Sequence, residues 1–81
     1  MPRFFFDIHD NTKKQIDDTG HVFVTMEQVR KEAQRLLPEI AFHEIPHDGD
    51  HRSYLVLVRD EGGHPIYTAA LNYQGHKVGE V

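Results

Sequence analysis

Between Thr25 and Ile40 the chain carries its one helix-period apolar stripe, and on either side the apolar residues follow strand patterns instead. Val29, Ala33, Leu36, Leu37 and Ile40 recur at three- and four-residue spacing, while Arg30, Lys31, Gln34 and Arg35 fall away from that face. One helix can cover only one face of a sheet. The fold expected is therefore α+β in the order ββαββ, a four-stranded, largely antiparallel sheet with one amphipathic helix on one face.

The helix has a clear start. Thr25-Met26-Glu27-Gln28 is a capping box, in which the Thr hydroxyl accepts from the amide of residue 28 and the Gln side chain reaches back. Glu27 adds an anion in the first turn, where the helix dipole favours it. Pro38 lacks the amide that would bond residue 34 and disfavours helical geometry at Leu37, so a kink or restart is expected there within a helix over about 25–44.

Before the helix, Phe4, Phe6 and Ile8 alternate with Arg3, Phe5, Asp7 and His9, the period of a half-buried strand. Asp10-Asn11-Thr12 makes a turn, Lys13 to Asp17 a short return strand, and Asp17-Asp18-Thr19-Gly20 a second turn before the extended lead-in His21 to Val24. After the helix, Tyr54 to Val58 is apolar at every position. Asp60-Glu61-Gly62-Gly63 is a hairpin turn and Ile66 to Tyr73 the returning strand. The expected core is Phe4, Phe6, Ile8, Val29, Ala33, Leu36, Leu37 and Ile40, with Val56 and Val58 as strand partners. Residues 1–74 read as one domain and 75–81 as a loose C-terminal tail.

Composition narrows the function classes. At 81 residues the core is modest. With no cysteine there is no disulfide frame, no thiolate nucleophile and no Cys-based metal site. The opening MPRFFFDIHD is too short for a signal-peptide apolar region, and no run approaches the ~18 apolar residues of a membrane span, so a cytoplasmic protein is expected. The formal charge of −4 argues against a duplex-binding surface, which normally carries a basic excess. The basic clusters are Lys13–Lys14 and Arg30–Lys31 with Arg35, and Glu27, Glu32 and Glu39 lie close to the second. A nucleic-acid-binding accessory using Arg30, Lys31 and Arg35 is thus an alternative, and a solvated helix face the main expectation.

Residues 43–47, HEIPH, spell the H-E-x-x-H motif of zinc proteases. That chemistry needs both histidines at i and i+4 on one continuous helix, with the Glu as general base. Pro46 would cost roughly 3 kcal/mol in a helix interior, so the helix is expected to stop near Glu44 and Asp48–Gly49 to turn. The longer metzincin pattern also fails at Asp50 and Ser53. His43, His47, Asp48, Asp50 and His51 remain candidate metal ligands in a loop at 43–51, with adventitious binding the more ordinary outcome. Asp7 and His9 share a strand face as a conceivable acid–base pair, against the plainer expectation of an exposed polar face. Ser53 and Thr68 have no nucleophile context, and Gly62–Gly63 joins strands rather than cradling phosphate. No catalytic residue and no cofactor is assigned, and the chain is not expected to be an enzyme.

Taken together, these pieces resemble a family of small bacterial proteins of unknown function. Its members open M-P-R-[YF]-[FY]-F-D-I-x-[DN] and carry a D-x-x-G turn. An Ala- and Arg-bearing amphipathic helix, a D-x-[IL]-P-x-G-D-x-R-like loop and two strands follow. Here these are MPRFFFDIHD, DDTG at 17–20, VRKEAQRLLPEIA at 29–41, HEIPHDGDHR at 43–52 and YLVLVRDEGGHPIYTAAL at 54–71, together spanning about residues 1 to 73. The His-rich loop departs from the pattern at positions 47 and 51, so the resemblance implies no family-wide metal site, and it implies no activity. The order strand hairpin, D-x-x-G, helix is also similar to HicB-type antitoxins at the level of fold, from which function does not follow.

A non-catalytic interaction or regulatory module acting as an oligomer is the function expected, with metal binding through 43–51 as a further alternative. The strand Tyr54 to Val58 looks buried on both faces, and Phe5 lies opposite Phe4 and Phe6. Phe5, Leu55, Leu57 and Tyr67 are accordingly the expected interface of a homodimer formed through the sheet or its edge. An unidentified protein partner is the other way to cover them.

Overall fold

The strand pattern at the start of the chain becomes β1 (Arg3–His9) in a computed structural model that describes residues 2–48 and 50–79, apart from the side chains of His47 and Asp48. Around it are β2 (Lys14–Gln15), β3 (His21–Val22), α1 (Met26–Asp48), β4 (His51–Arg59) and β5 (Pro65–Gln74). The sheet is antiparallel in the order β2-β1-β4-β5. β3 is a fifth strand formed by the lead-in, pairing with β1 at Arg3 and Phe4, while β2 pairs with it at Ile8 and His9. The α+β expectation therefore stands, with one more short strand than the pattern announced.

Why α1 begins where it does is visible in its first turn. The Gln28 amide donates to Thr25 Oγ1 at 3.2 Å, and Gln28 Oε1 accepts from the Val24 and Thr25 amides at 2.8 and 3.4 Å. Its stripe Val29, Ala33, Leu37 and Ala41 is buried against Phe4, Phe6, Tyr54, Val56 and Val58, and Ile8, Leu36 and Ile40 pack half-buried at the margin. α1 lies over β4 and β5, and Phe23 covers β1, its ring 5.9 and 6.3 Å from those of Phe6 and Phe4.

The helix does not stop at Pro46. It runs unbroken through Pro38 and on to Asp48, with both prolines inside. A helical proline leaves the carbonyl four residues earlier without its amide, and here those carbonyls belong to Gln34 and Phe42, both solvent-exposed residues that water can serve. Beyond Glu44 the last turn is also held from outside: Ile45 packs on the core and Glu44 accepts from Arg52 Nη2 at 2.9 Å. Tertiary contacts outweigh the local penalty. Gly49, on which the expected turn falls, lies outside the described residues.

Candidate functional site

The side of the sheet away from α1 is where the expected interface lies, and its contents come from strand parity. The register Phe5↔Arg59, Asp7↔Leu57 and His9↔Leu55 gathers Phe5, Asp7, Leu55, Leu57 and Arg59 on that face. Tyr54, Val56 and Val58 point the other way, so β4 does alternate. Tyr67 pairs with the buried Val58 and packs against the core. It belongs to the helix side, which corrects its grouping with Phe5, Leu55 and Leu57. A run apolar at every position hides parity from sequence, and only the pairing restores it.

The open face is less apolar than expected, because a charged pair occupies its centre. Asp7 is 3% exposed rather than part of an exposed polar strand face. Arg59 reaches it from the diagonal position on β4, Nε to Oδ2 at 2.6 Å and Nη2 to Oδ1 at 3.0 Å. The Asp17 amide donates to Asp7 Oδ1 at 3.0 Å, and Arg59 Nη2 also donates to the Asp17 carbonyl at 2.9 Å. These hydrogen bonds, the Arg59 guanidinium foremost, hold the Asp7 carboxyl below its ordinary range against the opposing effect of burial. The guanidinium also lies 5.0 Å from the centroid of Phe5, shielding that ring. Leu57 is half-buried, while Leu55 and Val22, the latter paired with Arg3 at the β3 margin, are the exposed large apolar side chains on this face, at 37% and 45%.

The two margins of the sheet differ more than its two faces. Along the outer edge of β1, between the short pairings with β2 and β3, Asp17 accepts the Phe6 amide at 3.0 Å on Oδ2 and those of Thr19 and Gly20 at 3.0 Å on Oδ1. Burial pushes the Asp17 carboxyl up, and these amides more than offset it, leaving it below its ordinary value. Gly20 completes the turn at φ 72°, and a Cβ there would fall within 2.9 Å of Phe4 O and Phe5 Cε2. The D-x-x-G turn is thus a cover for the β1 edge.

At the other margin, β5 pairs with β4 on one side and, among the described residues, with nothing on the other. Its 10 residues, PIYTAALNYQ, include no Asp, Glu, Lys or Arg. Beside this edge α1 presents a shallow apolar depression lined by Pro38, Ala41, Phe42, Ile45, Pro46 and Leu71, and Phe42 is 76% exposed. Tyr73, at the end of β5, is exposed as well. This surface was missed from sequence. Its signal is Phe42 itself, one residue off the apolar stripe and inside the expected helix, but its place beside an open strand edge depends on the strand order.

Elsewhere the candidate groups are already engaged. A groove of about 520 Å³ between α1 and β2 is lined by Ile8, Ile16, Leu36 and Ile40 with Asp17, Asp18, Glu32 and Arg35. Glu32 is held below its ordinary pKa by Arg35, which pairs at 2.7 Å with both Glu32 and Glu39. Arg30 pairs with Glu27 at 3.0 Å. Of the three expected nucleic-acid contacts, Arg30 and Arg35 are therefore partly neutralised, and Lys31 is exposed.

The HEIPH histidines fall within α1 after all, so the proline does not exclude the motif. His43 is exposed, its ring 5.2 Å from that of Phe42, and Glu44 is committed to Arg52 rather than standing free as a base. The side chains of His47 and Asp48 lie outside the described residues. Asp50 holds the Gly75 amide through its carbonyl at 2.7 Å, and His51 stands edge-to-face with His76 at 5.6 Å, so the expected loose tail is tied at its start. Among the described residues no three His, Asp or Glu side chains converge to hold a metal. Nor is any helix among them long and apolar enough to cross a membrane.

Residues 3–72 match the model of a family described as a domain of unknown function (DUF6894). No curated protein and no solved structure matches, so the likeness to HicB-type antitoxins gains no support.

Proposed function

The chain belongs to the DUF6894 family of domains of unknown function, and we propose that it is a non-catalytic protein-interaction module working in the cytoplasm as a homo-oligomer joined through its sheet. The observation that carries this is the long, uncharged outer edge of β5. Soluble proteins normally blunt such an edge with charge, proline, brevity or a covering segment, because its free amides and carbonyls template another strand. Among the described residues only Pro65, at one end, is of that kind, while the β1 edge is met by β3, by β2 and, between them, by the Asp17 carboxylate. A non-catalytic role is supported by where the carboxylates go. Asp7 is spent on Arg59, Asp17 on the amides of its turn, Glu32 on Arg35, and Asp60 on the amides of Gly62 and His64. Each depressed carboxyl has a structural cause. The cysteine-free composition fits a reducing compartment.

Size-exclusion chromatography with light scattering at micromolar concentration tests the oligomer. A mass about twice the 9.4 kDa of one chain is expected, and a clean 9.4 kDa would refute it.

A further inference from the structure

We infer that the occupant of the β5 edge is a second copy of this chain, paired antiparallel β5 to β5 about a two-fold axis, with the Phe42 sides of the two α1 helices meeting above the seam. The inference rests on the oligomer proposed above and specifies its contact.

Two exposed features sit side by side at this margin, and they restrict what can cover both. The first is the edge itself, 10 residues without a charged side chain, roughly 33 Å of backbone that no strand among the described residues pairs on its outer side. Any extended segment could pair with it. The second is the apolar depression around Pro38, Phe42 and Ile45 on the β5 side of α1. A foreign strand added to the edge would leave Phe42 in water.

A second copy covers both features because of where α1 lies. The two-fold of an antiparallel strand pair within one sheet is perpendicular to that sheet, so both helices come to the same face. Each helix packs over both β4 and β5, and an axis lying between those two strands is roughly half a strand spacing inside its own edge. The seam adds one full spacing, so two spacings of ~4.8 Å separate the axes, about 10 Å in all. Helices pack at 8–10 Å. Edge pairing therefore brings the two α1 helices to packing distance with their Pro38–Phe42 sides opposed. The seam meets no like-charge repulsion, although each chain carries a net charge of −4.

The test uses the whole chain. Phe42 is exposed, so Phe42→Asp should leave the fold intact by circular dichroism while weakening the dimer at least tenfold in a light-scattering dilution series. Because the chain has no cysteine, single cysteine substitutions made in turn at each position from Ile66 to Tyr73 report the strand pairing directly. In an antiparallel self-pair one position lies opposite its own copy, about 4.5–5.5 Å away between Cα atoms, close enough for a disulfide. Oxidative cross-linking should peak at one of these positions. A dimer that survives Phe42→Asp and dissociates on Leu57→Asp would overturn this seam and leave the oligomer standing on the open face. Dissociation by Phe42→Asp with no self-linking position would overturn the strand pairing. A monomer at every concentration would overturn the seam and the oligomer together.

Discussion

The outer edge of β1 and the outer edge of β5 are made of the same backbone groups and treated oppositely. On β1, two short strands close the ends and the Asp17 carboxylate takes the Phe6 amide in the gap between them. Asp7 and Arg59 then clamp that same turn from below. On β5 a longer edge has neither a covering segment nor a charge among the described residues. A chain that spends a turn, a glycine and a buried ion pair on closing one edge has the means to close an edge. Leaving the other open is then a feature to be explained, and self-pairing explains it.

The largest expected effect comes from breaking the closed edge at its clamp. Asp7→Ala removes the acceptor of three hydrogen bonds and leaves a part-buried guanidinium without its partner, and should cost about 2–4 kcal/mol in urea unfolding. A loss below about 0.5 kcal/mol, the range of plain surface substitutions, would mean that the clamp does not hold the turn. Next is Gly20→Ala. A left-handed L residue costs about 1–2 kcal/mol before the contacts of its Cβ with Phe4 and Phe5 are added, so a total near 2–3 kcal/mol is expected. Asp17→Ala should cost about 1–3 kcal/mol and, more tellingly, release the Phe6 amide to fast hydrogen exchange without changing the mass of the oligomer. Thr25→Ala, on neither edge, should cost only about 1 kcal/mol through the lost cap and serves as the control.

Acid sharpens the same contrast. Asp7 and Asp17 both have native pKa values below their ordinary ones. Their stabilising contribution is therefore present above the unfolded value, near 3.9, and is lost as pH falls through the lower native values. Urea midpoints should fall below about pH 4, and that fall should be smaller in Asp7→Asn, which has no charge to lose.

How much of this was legible in the sequence follows from where periodicity speaks. The capping box, the helical stripe at Val29, Ala33 and Leu37 and the burial of Phe4 and Phe6 landed as expected, because each is a local pattern with one reading. Ile8, Leu36 and Ile40, expected in the core, lie instead at its margin, and Ala41 is buried in their place. The run Tyr54 to Val58 offers no alternation, so neither the burial of Tyr54, 1% exposed, nor the facing of Tyr67 could be read from it. Asp7 looked like an exposed polar residue because its partner Arg59 is 52 positions away. Pro46 misled for a related reason. The local penalty is real, but Ile45 and the Glu44–Arg52 pair outweigh it, and those contacts exist only once the chain has folded. The Phe42 surface was hidden for a different reason: Phe42 lay inside the expected helix, but its place beside the β5 edge follows from the strand order, which no local pattern gives.

Hydrogen exchange of the unmodified protein, resolved to single amides and followed over a dilution series, compares the two edges directly. Alternate amides of Ile66 to Gln74 that point away from β4 should be protected at high concentration and become fast on dilution, while the Phe6 amide stays protected throughout. Outward β5 amides that exchange fast at every concentration would contradict the account, since nothing then pairs with that edge.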